Sequence, residues 1–159
     1  MSATSVEHLS EAECWSLLAA EPVGRLGVIF DSGPEIYPLN HVLDGQSIIF
    51  RTDPGSKLAG LTKTPAVCYQ VDGIDPAGHT GWSVLVKGRA TELGADELAE
   101  AGRLQLDYWT VGPKEHWVRI TPTEVTGRRI YQRTAHLMGT PDDGAILNED
   151  AAFVRPDEA

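Results

Sequence analysis

The chain has 159 residues, 42% hydrophobic and 23% charged, which is enough for one domain with a sizeable core. Its formal charge of −10 excludes a general binder of nucleic-acid backbones, and no apolar run approaches the roughly 20 residues of a membrane span. Cys14 and Cys68 lie in different segments and no secretory pattern precedes the first helix, so reduced thiols and a cytoplasmic location are expected. The histidines His8, His41, His79, His116 and His136 lie far apart without ligand spacing, and no metal site is expected.

In chain order, Ser10 with Glu13 three residues on forms a capping-box pattern, and Pro22 ends the run, so a helix is expected between them. Cys14, Leu17 and Leu18 recur at helical spacing, which makes Cys14 a core residue rather than a nucleophile. "VGRLGVIF", "EIYPLNHVL" and "SIIFRT" follow as extended runs broken by "DSGP" and "DGQ" turns, a three-stranded meander. Pro38 cannot donate to a ladder and assigns its run to an edge or a bulge.

"PGSKLAGLTKTP" reads as a short helix between prolines. "AVCYQVDGI" and "GWSVLVKGRATEL" are strands, with Gly88 marking a bulge or bend. "ADELAEAGRLQL" is a helix with Leu98, Ala101 and Leu104 on one face, and "HWVRITPTEVTGRRIYQ" is a long strand interrupted at Pro122. Residues 1–131 form the domain, and residues 132–159 an acidic, partly flexible tail. Six strands with short flanking helices, not regularly alternating, make a mainly β protein, a closed or split β-barrel.

Chemistry concentrates in "FRTDPGSKL". Arg51 and Thr52 end a strand, while Ser56 and Lys57 open a helix whose free N–H groups and dipole attract anions. A guanidinium, an ammonium and two hydroxyls suit a phosphate, and a solvated turn is the alternative on these residues alone. His41 is a candidate proton donor, with an exposed or structural ring as the alternative. Asp72 and Asp75 in "DGID" have the composition of a turn. Arg128 and Arg129 are read as a solvated strand end, a cross-dimer ion pair or a binder of an anionic tail.

"GRLGV", Pro34–Asn40, "FRTDPGSKLAGL", "VDG", "GWSVLVKGRA" and "WVRITPTEVTGRR" together resemble the pyridoxamine 5′-phosphate oxidase-like, flavin-binding split-barrel family. That resemblance implies a six-stranded split β-barrel of the FMN-binding type, a homodimer with cofactor at the subunit interface. It implies that Pro38, Leu39, Asn40 and His41 lie along the isoalloxazine ring and that Arg51, Thr52, Ser56 and Lys57 hold the phosphate. Trp82 and Ser83 would approach from the other subunit, and Trp117 and Arg119 would close the cleft. The implied activity is an FMN-dependent oxidoreductase acting on a small organic substrate, with a nicotinamide cofactor or cell reductant as partner. An F420-dependent reductase and a non-catalytic flavin- or heme-binding module are the alternatives.

Three departures bear on activity. Ser56 stands where vitamin B6 oxidases of this resemblance carry a further basic residue, and Ser83 stands near their Gln. Arg51 stands where nitroimidazole-reductase-like relatives tend to have His.

Overall fold

Alternation of inward and outward side chains organises most of the chain. In the computed structural model, which describes residues 3–106 and 115–133, β1 (Ala3–Leu9) leads into α1 (Glu11–Ala20), then β2 (Val23–Phe30) and β3 (Gly33–Asn40). The order continues with β4 (Val42–Asp44), β5 (Ser47–Thr52), α2 (Ser56–Lys63), β6 (Ala66–Asp75), β7 (Thr80–Glu92), α3 (Ala95–Ala101) and β8 (His116–Arg133). The described strands form one antiparallel sheet ordered β3-β2-β6-β7-β8-β5-β4, with β1 beside the far half of β8. It curls until β3 meets β5, giving the mainly β split barrel with short flanking helices.

The inner face is the core. Leu26, Val28, Ile48, Phe50, Tyr69, Val71, Val84, Val86, Val118 and Ile120 are buried there, and α1 closes one side with Cys14 and Leu18. Each such apolar side chain contributes roughly 1.5–3 kcal/mol through burial. The helix begins as expected: Ser10 Oγ accepts from the Glu13 amide at 3.3 Å, and the Glu13 carboxylate accepts from the Ser10 amide at 2.8 Å. Cys14 is a core residue, packed so closely that a Cβ on Gly127 would lie 2.5 Å from its sulfur.

Several expectations are corrected. The described residues form eight strands rather than six, because residues before Leu9 pair with β8 and the second extended run divides at His41 into β3 and β4. The meander is not formed: β5 pairs with β8, so the chain crosses from one end of the sheet to the other at His41. α3 stops at Ala101 because Gly102, a poor helix former, takes the C-cap, and Leu98 remains 36% exposed. "DGID" is strand rather than turn, with Asp72 ion-paired to Arg25 at 2.5 Å. The tail lies outside the described residues from residue 134 onward.

Pro38 does occupy an edge strand, where its missing donor costs no ladder bond. Pro122 bends β8 without ending it. Lys87 faces Glu124 while Gly88 faces Pro122, so Thr123 is an extra residue, its hydroxyl donating to the Lys87 carbonyl at 3.2 Å. Gly88 is required at this bulge, since a Cβ there would sit 2.5 Å from the Thr121 carbonyl oxygen.

Candidate functional site: two clusters at opposite ends of one strand

The first cluster forms where β5 ends and β8 begins. Register places Arg51 opposite Trp117 and Ile49 opposite Arg119, so alternation puts these four side chains on one outer face. The Arg51 guanidinium lies 4.9 Å from the centre of the Trp117 ring, a cation–π contact that orients its flat fork. Thr52 is buried beside it, its hydroxyl donating to the Asp53 carbonyl at 3.4 Å. Arg119 donates to Asp44 at 2.9 Å and to Glu97 at 3.3 Å, which ties β8 to the β4–β5 hairpin and to α3. Its buried Nε has no hydrogen-bond partner among the described residues. Ser56 and Lys57 occupy the first turn of α2, whose N-cap, Gly55, has no side chain to satisfy the leading amides.

Pro38, Leu39, Asn40 and His41 form the corner between β3 and β4, and the approach of β3 to β5 brings that corner beside the first cluster. Pro38 is exposed and Leu39 half-buried, while the Asn40 amide donates to the Pro22 carbonyl at 3.2 Å. His41 is buried, with Nε2 2.9 Å from the Leu18 carbonyl and Nδ1 2.9 Å from the Tyr69 hydroxyl. Burial holds its pKa below the ordinary histidine value, partly opposed by the Leu18 carbonyl. The ring is therefore neutral and structural, and both nitrogens are engaged inside the protein. A cavity of about 420 Å³ opens next to it, between the end of α1, residues 41–43 and Gln105.

Trp82 and Ser83 are elsewhere. They sit at the far end of β7 in an open pocket of about 550 Å³, walled by Ile74, Ile130 and Val6 with Arg128 at its side. Trp82 packs on Gly73, where a Cβ would come within 2.5 Å of the indole nitrogen. Thr91, the β7 residue opposite Arg119, is nine residues from Trp82, or about 30 Å along the strand. Within one chain the two clusters cannot share a small ligand. Arg129 points toward Glu7 and Glu13, at 3.6 and 3.7 Å, whereas Arg128 is exposed on the outer face.

Sequence reasoning missed Tyr69, Gly24, Asp44 and Glu97. Tyr69 alternates with Val67 and Val71 and so reads as one more core residue; its hydroxyl's partner lies 28 positions away. Asp44 and Glu97 are exposed acids with no local pattern to mark them as partners of Arg119.

Comparison with known proteins gives a consistent picture. A solved structure described as the FAD binding protein from Mycobacterium smegmatis is 38% identical, with a TM-score of 0.64 over 78% of this chain and 97% of that one. A FAD-binding protein from Mesorhizobium loti is 29% identical, with a TM-score of 0.66 over 80% and 98% of the two chains. An uncharacterized protein of Mycobacterium tuberculosis is 34% identical over 134 residues, 81% of this chain and 88% of its own length. Residues 10–129 match the family described as pyridoxamine 5′-phosphate oxidase, a span that holds Arg51, Trp82, Ser83, Trp117 and Arg119. The chain belongs to the pyridoxamine 5′-phosphate oxidase family.

Proposed function

We propose that the protein is a homodimeric, cytoplasmic flavin-dependent oxidoreductase acting on a small organic substrate. The observation that carries this reading is the stacking of Arg51 on Trp117 beside the uncapped start of α2. Together they offer an oriented guanidinium, a flat aromatic and free amides, the donor set for a phosphate next to a planar ring system. The Nε of Arg119, without a hydrogen-bond partner among the described residues, adds a buried donor on the same face, so the residues present fit a flavin nucleotide. Two relatives described as FAD-binding support the same cofactor class.

In this reading Arg51, Thr52, Ser56 and Lys57 hold the phosphate, and the Pro38–His41 corner faces the ring. Trp117 keeps Arg51 extended, and Arg119, anchored by Asp44 and Glu97, holds the wall of the cleft. A bound flavin supplies hydride and electron transfer, so the chain's own task is binding, orientation and exclusion of water. Distance supports the dimer: Trp82 and Ser83, about 30 Å along the sheet from the cluster of Arg51, Trp117 and Arg119, meet its cofactor only across a subunit interface. The exposed Val6, Ile74 and Ile130 around them offer an apolar surface for that contact.

FMN is the cofactor we propose; FAD, favoured by the two named relatives, and F420 are the competitors. The commitment of both His41 nitrogens favours a second reading, a non-catalytic flavin carrier, because that segment then holds no free proton donor. Mass spectrometry of the ligand that copurifies distinguishes FMN, FAD and F420 directly. Reduction by NAD(P)H and reoxidation by a panel of acceptors then separates enzyme from carrier. A protein that takes up none of the three refutes the reading, and a flavin-loaded monomer in sedimentation refutes the shared cleft.

A further inference from the structure

Tyr69 is the largest fully buried side chain among the described residues, and it brings a hydroxyl into a mainly apolar interior. Such a group is costly to bury unless it is hydrogen-bonded. The phenol oxygen lies 2.9 Å from His41 Nδ1 and 3.3 Å from the Leu39 carbonyl, and the Gly24 backbone also bonds to it. The Leu18 carbonyl can only accept, so His41 carries its proton on Nε2, and Nδ1 must accept from the phenol. Hydrogen bonds therefore run one way, from Tyr69 through His41 to α1. They cross β6, the β3–β4 corner and the helix.

Gly24 makes room for this arrangement. It pairs with Leu39 on β3, and a Cβ on it would sit 2.5 Å from the phenol oxygen and closer still to the ring carbons. Burial pushes the Tyr69 pKa far up, so the phenol keeps its proton and remains a donor. The ring also meets the His41 imidazole edge-on, with centroids 5.1 Å apart.

We propose that Tyr69 is a positioning residue for the cofactor: through His41 its hydroxyl fixes the corner that faces the flavin ring, and Gly24 admits it. This rests on the proposed function, and the experiment separates the two. FMN, and then FAD, is titrated into the wild-type protein and into Tyr69→Phe, following flavin fluorescence and the visible absorption band, with thermal unfolding measured alongside. The expected result is about tenfold weaker binding in the variant, the effect of losing one buried hydrogen bond, and a displaced visible band. Wild-type affinity and spectrum in the variant overturn the proposal, whatever happens to the unfolding temperature. A wild-type protein that binds neither flavin overturns the flavin reading and this inference with it. If the variant does not fold, histidine-labelled wild-type protein is titrated by NMR. His41 ring resonances should then move more than those of exposed His8, and an unmoved His41 overturns the proposal.

Discussion

Replacing Gly24 with Ala tests the packing on which the β3–β4 corner depends. The added Cβ would meet the Tyr69 phenol oxygen at 2.5 Å, well inside the roughly 3.5–4.0 Å of an ordinary contact. Tyr69 has no exposed surface, and its hydroxyl is bonded to His41, so the ring must shift by about 1 Å and break that bond. Overpacking costs about 1–3 kcal/mol, and an unsatisfied buried hydrogen-bonding group costs about 1–3 kcal/mol more. The expected loss is therefore about 2–6 kcal/mol. Urea unfolding followed by the fluorescence of the four tryptophans measures it, at one fixed protein concentration because the stability of the proposed dimer would depend on concentration. A midpoint within about 0.5 kcal/mol of wild type would refute the reasoning, since exposed substitutions already vary by that much.

Three further outcomes are expected. Arg51→Ala should weaken FMN binding by about 1.5–3 kcal/mol, the range for a hydrogen bond to a charged group, and Lys57→Ala should do the same; unchanged affinity in a fluorescence titration removes that residue from the phosphate site. His41 contributes a pH dependence whose sign follows from its depressed folded pKa. Its stabilisation is complete above about pH 6.5 and is lost as pH falls below that value, by at most about 1.4 kcal/mol per pH unit. Urea midpoints between pH 5 and 8 should thus fall more steeply for wild type than for His41→Gln, and equal slopes would contradict the assignment.

How much could be read beforehand depended on how local the determining interaction was. The Ser10–Glu13 cap was legible because it is set by near neighbours in the chain, and Cys14 and Gly88 because helical spacing and a glycine within a strand mark them, although what they pack against lies in β8. The crossover at His41 was not, because "EIYPLNHVL" holds no turn residue between its two strands, and the partner of β5 lies some 70 residues onward in β8. β1 was missed because "ATSVEHL" mixes polar and apolar residues without a clear period, and pairing with β8 makes it a strand. At the site, Arg51, Thr52, Ser56 and Lys57 stood out through residue type and spacing. The bonds of Tyr69 and Arg119 span distant segments and become visible only when the sheet is closed.

The extra residue at Thr123 sets a parity for the whole of β8. Before it, Val118 and Ile120 point into the core; after it, the inward positions are Val125 and Gly127. Because Gly88 faces Pro122 and Lys87 faces Glu124, deleting Thr123 would restore regular alternation with Val125 and Gly127 still inward and Arg128 still outward. The segment is thus a point of slack in β8, where one residue can be lost without moving any other side chain from one face of the sheet to the other.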